Sequence, residues 1–375
     1  MVAGEASGDV LGADLIRALK KHYPNAVFEG IGGPKMQAEG FHSLFQIDRL
    51  SVMGFVEPFK RLPELLRMRG TVIKRYLKNR PLAFIGIDSP DFNDTIEFKL
   101  RRAGVKTIHY VSPSVWAWRQ GRIRKIKKSV DLMLCLLPFE AAFYEKHEVP
   151  VKFVGHPLAG QFASEPNTQV ARQQLGLEVD SPVLCIMPGS RAGEVSMMTE
   201  VFLDTAQSLM ALVPGLQFII PAANNARHAQ LSALLALRPQ LEIKLIMQQS
   251  HTAMESSDVV LLASGTTALE AMLLKKPMVV SYKLGAITYQ LVRPFIKTPF
   301  VSIPNLLANK MLVPELIQDQ AVVSHLSAAV LEALDETKRS ALVASFDQLH
   351  QQLAVESGDI AATAIAELVS VGNTL

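Results

Sequence analysis

The sequence predicts an α/β protein built from two doubly wound domains. Short apolar runs, as in LAFIGIDSPDFN (82–93), SPVLCIMPGSRAGEV (181–195) and VVLLASGTTALEAM (259–272), each end in a turn of small or polar residues and lead into a helical pattern. That alternation is the one a parallel sheet requires. At 375 residues the chain also exceeds what one hydrophobic core usually serves. The first series closes at PVKFVGHPLAG (150–160), leaves through His156-Pro157 and polar SEPNTQVARQQLG, and restarts at 181. The expected division is 1–160, 161–345 and a helical segment 346–375, with the chain helical to its end after Pro304-Asn305.

Hydrophobic residues make up 49% of the chain and charged residues 19%, enough for two cores. A net charge of +3 gives no ground for a nucleic-acid partner. Cys135 and Cys185 lie in apolar, strand-like runs and read as buried, reduced thiols of a cytosolic protein. No secretory signal and no run of about 20 apolar residues is visible, so the expectation is a soluble protein, or one lying on a membrane surface.

The chain opens with a glycine-rich turn, GEASGDVLG, entering a helix whose Leu11, Leu15, Ile16 and Leu19 share a face. Such a turn lets a ligand approach backbone. Glu5 and Asp9 flank it as acid/base candidates, or as mere complements to the helix dipole. The pattern is not the dinucleotide fingerprint, although Glu29 stands about where the ribose acid of that fingerprint would be. Only three residues precede Gly4, so the first strand is expected to be a stub or cut short. In VMGFVEPFKRLPELLRMRG (52–70), Phe59, Leu62, Leu65 and Leu66 share a helical face ringed by Lys60, Arg61, Arg67 and Arg69, with Phe55 and Val56 just ahead. A basic amphipathic segment of this kind suits a bilayer interface; packing on a core is the other reading.

The strand of 82–93 ends in Asp88, Pro90, Asp91 and Asn93, at the strand end where open α/β sheets carry their chemistry. A carboxylate there can take a proton from a hydroxyl, and Asp88 is the preferred base ahead of Asp91, Glu5 and Asp9. Both aspartates can instead cap the following helix. With no D-x-D and no neighbouring His, a metal is not expected. Next, YVSPSVWAWR (110–119) holds both tryptophans, and Arg119, Arg122, Arg124, Lys125, Lys127 and Lys128 follow with no acid between them. This run suits phosphate groups or an anionic membrane, or else forms a solvated face.

In the second series Arg191, after the Gly189-Ser190 turn, is placed to grip a diphosphate, a reading ranked above a salt bridge to Glu194. The stretch 259–272 is the most informative. Its strand enters a turn of Ser264, Gly265, Thr266 and Thr267, where the first helical N–H groups and the dipole favour phosphate oxygens. Glu270, one turn on, can accept hydrogen bonds from both hydroxyls of a ribose. An ordinary corner N-capped by Ser or Thr is the alternative.

Together GEASGD (4–9), GIDSPDFN (86–93), YVSPSVWAWR (110–119), LPFE (137–140), PGSR (188–191), LLASGTTALEAML (261–273) and SIPNLLA (302–308) resemble the lipid-A-disaccharide synthases, in that family's order and over nearly the whole chain. The resemblance implies the GT-B fold, two Rossmann-like domains facing across a cleft, and inverting, metal-independent glycosyl transfer without a cofactor. It implies an N-terminal acceptor domain for 2,3-diacylglucosamine 1-phosphate (lipid X) and a C-terminal donor domain for UDP-2,3-diacylglucosamine. The expected product is the β-1,6-linked disaccharide, with UDP released. Substrate contacts are then expected from Gly4, Ser7, Gly8, Asp9, Asn93, Trp116, Arg119, Gly189, Ser190, Ser264, Gly265, Thr266, Thr267, Glu270 and Asn305, with Arg191 beside the leaving group. Acylated substrates imply peripheral attachment to the inner face of a Gram-negative inner membrane through Phe55, Val56, Phe59, Leu62, Leu65 and Leu66; a homodimer is compatible. Three other classes share parts of this pattern: another UDP-sugar transferase or epimerase, a nicotinamide-dependent dehydrogenase using Gly4–Gly12 with Glu29, and a non-catalytic nucleotide-sugar sensor.

Overall fold

The computed structural model describes residues 1–50, 57–117, 120–263, 265–296 and 298–370, with the backbone alone at 57–60 and 286–287. The chain divides into two compact units, Met1–Pro157 with Leu353–Leu375, and Leu158–Gln352.

Unit 1 is built on a seven-stranded sheet of order β3-β2-β1-β4-β5-β6-β7. Its strands are β1 (Val2–Ala3), β2 (Glu29–Ile31), β3 (His42–Phe45), β4 (Ala83–Ile87), β5 (Lys106–Tyr110), β6 (Leu132–Cys135) and β7 (Val151–Phe153). Unit 2 carries β8 (Val183–Met187), β9 (Gln217–Ala222), β10 (Ile243–Met247), β11 (Val259–Ala263), β12 (Met278–Tyr282) and β13 (Glu315–Ile317) in the order β10-β9-β8-β11-β12-β13. The pairings are parallel, from Val2 with Gly86 at the centre of the first sheet to Val260 with Met278 in the second. Helices cover both faces, which is why the strands read as continuous apolar runs. Consecutive residues of β4 serve opposite cores: Phe84 packs with Met68, Val72 and Ile96, and Ile85 with Leu15, Leu19 and Ile365. Cys135 and Cys185 are free thiols buried in β6 and β8.

In each sheet the strand order reverses once, between β1 and β4 and between β8 and β11. At such a switch point the two connections leave in opposite directions, and a crevice opens at the strands' carboxyl ends. Strand β1 spans only two residues, yet it is central and fully buried, and the Met1 nitrogen donates to the Glu29 carbonyl at 2.7 Å.

Three expectations need correction. The chain is not helical throughout after Asn305, because β13 adds a sixth strand beside β12; three residues behind Pro314 are too few to show a period. The C-terminal segment is not a separate piece. Helix Glu336–Leu353 belongs almost wholly to unit 2, whereas Ser357–Ser370 returns to unit 1 and lays Ala361, Ala362, Ile365 and Val369 on helix Ala6–His22. Glu29 opens β2 at its amino end, where it pairs with Arg75 at 2.7 Å. That is the edge of the sheet opposite the glycine-rich turn, so it cannot serve as the ribose acid of a dinucleotide site there.

Helix Glu57–Lys78 presents two apolar faces. Met68, Val72, Ile73 and Tyr76 form its core face, whereas Leu62 and Leu66 are 47% and 46% exposed. With Leu65, Leu50 and Phe92 these two leucines line an open groove of about 360 Å³. Phe55 and Val56 lie outside the described residues, as does the Phe59 side chain.

Both tryptophans lie in unit 1, so their fluorescence follows its unfolding. Ile365→Ala, deep under helix Ala6–His22, should destabilise the tryptophan-reported transition by about 2–5 kcal/mol in a urea melt. Phe202→Ala, in the core of unit 2, should leave that transition in place if the units unfold independently.

Candidate active site

One cavity of unit 2 lies at its switch point. About 540 Å³ in volume, it is lined by the turn after β8 (Gly189, Ser190, Arg191), the turn after β10 (Gln248, Gln249, Ser250), the turn after β11 (Gly265, Thr266, Thr267), and Glu194 and Glu270. Three helix N-termini meet it, those of Ala192–Leu212, Ser250–Ser256 and Thr266–Leu273, and the first and last differ. At helix Ala192–Leu212 the Glu194 carboxylate accepts from the Ser190 and Arg191 N–H groups, each at 3.1 Å. The protein's own anion already occupies that end. Gly189, at φ 122°, is required beside it, since a Cβ there would sit 2.5 Å from Glu194 Cβ.

Helix Thr266–Leu273 has no such partner. Its N-cap is Gly265, at φ 153°, ψ −160°, and among the described residues no side chain caps it. This backbone geometry is open essentially only to glycine, so the N-cap position itself carries no capping side chain. Ser264 lies outside the described residues. Glu270, with its side chain 20% exposed, sits one turn in, so an uncapped positive helix end and a carboxylate share one wall. Arg191 pairs with Glu194 at 2.7 Å, the partner the sequence reading ranked second, but its side chain is 83% exposed.

At the switch point of unit 1, Asp88 and Ser89 follow β4 with φ of 53° and 45°, both left-handed. For non-glycine residues this costs roughly 1–3 kcal/mol each. The turn is pinned on several sides. Asp88 N–H donates to the Tyr110 carbonyl at 2.8 Å, and Asn93 Nδ2 donates to the carbonyls of Asp88 (2.8 Å) and Val2 (3.3 Å). Gly4 is required by packing, because a Cβ there would lie 1.8 Å from Ser89 Oγ. The Asp88 carboxylate, half-buried, has no hydrogen bond or ion pair among the described residues, and it does not cap the helix. Asp91 is 95% exposed and pairs with Arg122 at 3.1 Å. Glu5 and Ser7 are exposed at the start of helix Ala6–His22.

Several residues expected to contact substrate make hydrogen bonds or close contacts inside the fold. Asp9 is buried and accepts from the N–H groups of Gly33, Lys35 and Met36 at 2.8–3.0 Å, capping helix Pro34–Ala38. Asn305 is fully buried: its Nδ2 donates to the Val313 carbonyl and Glu315, and its Oδ1 accepts from Leu312 and Val313. Asn93 is buried as the clamp of the Asp88 turn, and Gly8 lets its helix lie against Ala3 and Ile87. Each is a polar or small residue whose capacity the fold itself consumes. The basic run is largely paired too: Arg122 and Lys125 reach Asp94, and Lys127 reaches Glu148, acids distant in sequence. Arg119 lies outside the described residues.

Sequence reasoning missed the buried pair behind the Asp88 turn, His109 Nδ1 to Glu97 Oε1 at 2.6 Å, on the strand and helix that flank Gly86. The signal was present: Asn93 and Glu97, four residues apart, are polar on the face their helix turns to the sheet. Among the described residues, no three His, Cys, Asp or Glu side chains converge as metal ligands would.

The model of the lipid-A-disaccharide synthetase family matches residues 1–365. The chain belongs to the lipid-A-disaccharide synthase family. It is 52% identical to the lipid-A-disaccharide synthase of Saccharophagus degradans over 99% of this chain and 96% of that one. It is 50% identical to that of Pseudomonas aeruginosa over 98% and 97%. Among solved structures it resembles MurG of Acinetobacter baumannii (TM-score 0.57, 16% identity, 99% and 98% covered). A Listeria monocytogenes protein described as a UDP-N-acetylglucosamine 2-epimerase is also similar (TM-score 0.61, 12% identity, 97% and 93% covered). The likeness to these structures concerns the fold, which is GT-B, with two Rossmann-like domains. The enzyme is a glycosyltransferase, and the dehydrogenase reading is set aside.

In this synthase-family chain Trp116 is half-buried, its indole Nε1 donating to Glu140 at 3.0 Å and its ring edge-on to Phe139. Glu140 is buried and also accepts from the Leu137 N–H at 3.2 Å. Burial pushes its carboxyl up to about 7, against those hydrogen bonds, which favour the anion. The fold therefore holds a proton that the unfolded chain releases above the ordinary value of 4.5. Stability should decline as pH rises from there to about 7 and level off beyond it. Glu140→Gln should flatten that part of a melting-temperature profile; an unchanged slope would assign it to another group.

Proposed function

We propose that the enzyme condenses UDP-2,3-diacylglucosamine with 2,3-diacylglucosamine 1-phosphate to give the β-1,6-linked disaccharide 1-phosphate and UDP. The observation that carries the donor half is the cavity of unit 2, where an uncapped helix N-terminus and a carboxylate stand together, as a diphosphate joined to a ribose requires. In this reading Gly265, Thr266 and Thr267 receive phosphate oxygens and Glu270 takes the ribose hydroxyls. Arg191 turns from Glu194 to the leaving diphosphate, and its exposure supports that reach.

Unit 1 takes the acceptor. Its 6-hydroxyl attacks the anomeric carbon of the donor from the face opposite the diphosphate. The carbon–oxygen bond to phosphate breaks, UDP departs with the electron pair, and the configuration inverts. The hydroxyl proton passes to Asp88, whose carboxylate is held by a pinned turn rather than by partners of its own. A base fixed in this way pays its positioning cost at folding, not at reaction. Asp88→Asn should lower turnover by roughly 10²–10⁴ while UDP binding persists. Near-normal turnover in Asp88→Asn with loss in Glu5→Gln would move the base to Glu5.

The acyl chains place the reaction at a membrane surface, on the inner face of the inner membrane. No helix among the described residues is long and apolar enough to cross one. The half-exposed Leu62 and Leu66, on a helix rich in arginine, support peripheral docking there. Leu62→Ser with Leu66→Ser should leave the melting temperature nearly unchanged and weaken co-sedimentation with anionic phospholipid vesicles. A large fall in melting temperature would make these residues core and end their docking role.

A further inference from the structure

Glu270, on the cavity wall, has a neighbour beside the lining residue Ser250. His251, the second residue of helix Ser250–Ser256, places its Nε2 3.7 Å from Glu270 Oε2. Phe162, near the start of unit 2, meets the imidazole edge-on, with ring centroids 4.8 Å apart and planes at 61°. The turn before this helix is unusual, since Gln248 and Gln249 both adopt left-handed φ, 58° and 56°, and both line the cavity. The histidine is thus steadied on one side by an aromatic ring and faces a carboxylate on the other. Its side chain is still half exposed, so it is poorly explained as core.

We propose that His251 is a positioning residue of the nucleotide site, holding the Glu270 carboxylate so that it can accept from both ribose hydroxyls and thereby setting the preference for ribonucleotide over deoxyribonucleotide. The inference rests on Glu270 as the ribose ligand. A carboxylate can accept through several lone pairs. A cation on the far side of Oε2 leaves Oε1 and the near lone pair of Oε2 for the 2′- and 3′-hydroxyls. Without it, a side chain with three rotatable bonds has no fixed orientation at the cavity edge.

The pair depends on charge. At 3.7 Å it is too long for a neutral hydrogen bond, so it holds through the imidazolium. Glu270 raises the His251 pKa from its ordinary value of 6.5, against some loss through burial. Of the charged groups nearby, Arg191 is held by Glu194 or, in the proposed complex, by the diphosphate, and Glu255, on the same helix, accepts from the Asn167 N–H. Phe162 carries no charge. The ribose preference should therefore be greatest at low pH and decline as pH rises through the His251 pKa.

The test is equilibrium binding of UDP and 2′-deoxy-UDP to the full chain between pH 5.5 and 8.5, read as the ratio of the two Kd values. The ratio cancels titration of the diphosphate itself. Wild type should prefer UDP by on the order of tenfold at low pH, with the preference shrinking as pH rises. His251→Gln should lose most of the preference and its pH dependence, and His251→Arg, a permanent cation, should keep the preference at every pH. A His251→Gln ratio matching wild type throughout overturns the proposal. Glu270→Ala separates the two layers: if it leaves the wild-type ratio intact, or if wild type does not bind UDP, the ribose reading of Glu270 falls and the inference with it.

Discussion

The direction of the strands governs everything else in this molecule. In both sheets neighbouring strands run parallel, so each strand delivers its following turn to the same edge, and the one reversal of strand order opens a crevice there. Asp88 and Gly4 reach such a crevice in unit 1, and Gly189 and Gly265 in unit 2, because each directly follows a central strand. Parallel pairing also demands helical crossovers on both faces. Each crossover brings a helix N-terminus, with its unpaired N–H groups, back to that edge.

What those N–H groups meet distinguishes one corner from the next. Asp9 accepts from the first N–H groups of helix Pro34–Ala38, and Glu194 from the Ser190 and Arg191 N–H groups just before helix Ala192–Leu212, whereas among the described residues no side chain caps helix Thr266–Leu273. A cap typically contributes about 1 kcal/mol, so an uncapped helix facing a cavity gives up stability that a bound anion can restore. The Asp88 turn has the same logic. Its two left-handed residues are unfavourable by themselves and persist because Asn93, Tyr110 and Gly4 fix the backbone around them. In both places local stability is given up at the strand end where chemistry is expected.

Much of this was legible in the residues. Apolar runs of five, ended by small residues and followed by a 3.6-residue period, marked the βα corners, and the spacing of motifs marked the family. The expected break after residue 160 was argued from a change in composition that local sequence displays directly. Strand β13 was hidden because three residues show no period, and the return of Ser357–Ser370 to unit 1 was hidden because an apolar helix face does not say which core it joins.

The sequence by itself determined which turns carry reactive or anion-binding residue types, since those depend on local pattern: Asp88 at the end of β4, Gly265 and Glu270 after β11. Only the tertiary structure decided which polar side chains remain open to a ligand. Asp9, Asn93 and Asn305 stand in the same motifs as Asp88 and Glu270, but backbone groups distant in sequence consume their hydrogen-bonding capacity. A buried backbone N–H or carbonyl needs a partner from wherever the fold brings one. The side chain that supplies it belongs to the scaffold, and no reading of neighbours along the chain can reveal that, because the partner arrives only through folding.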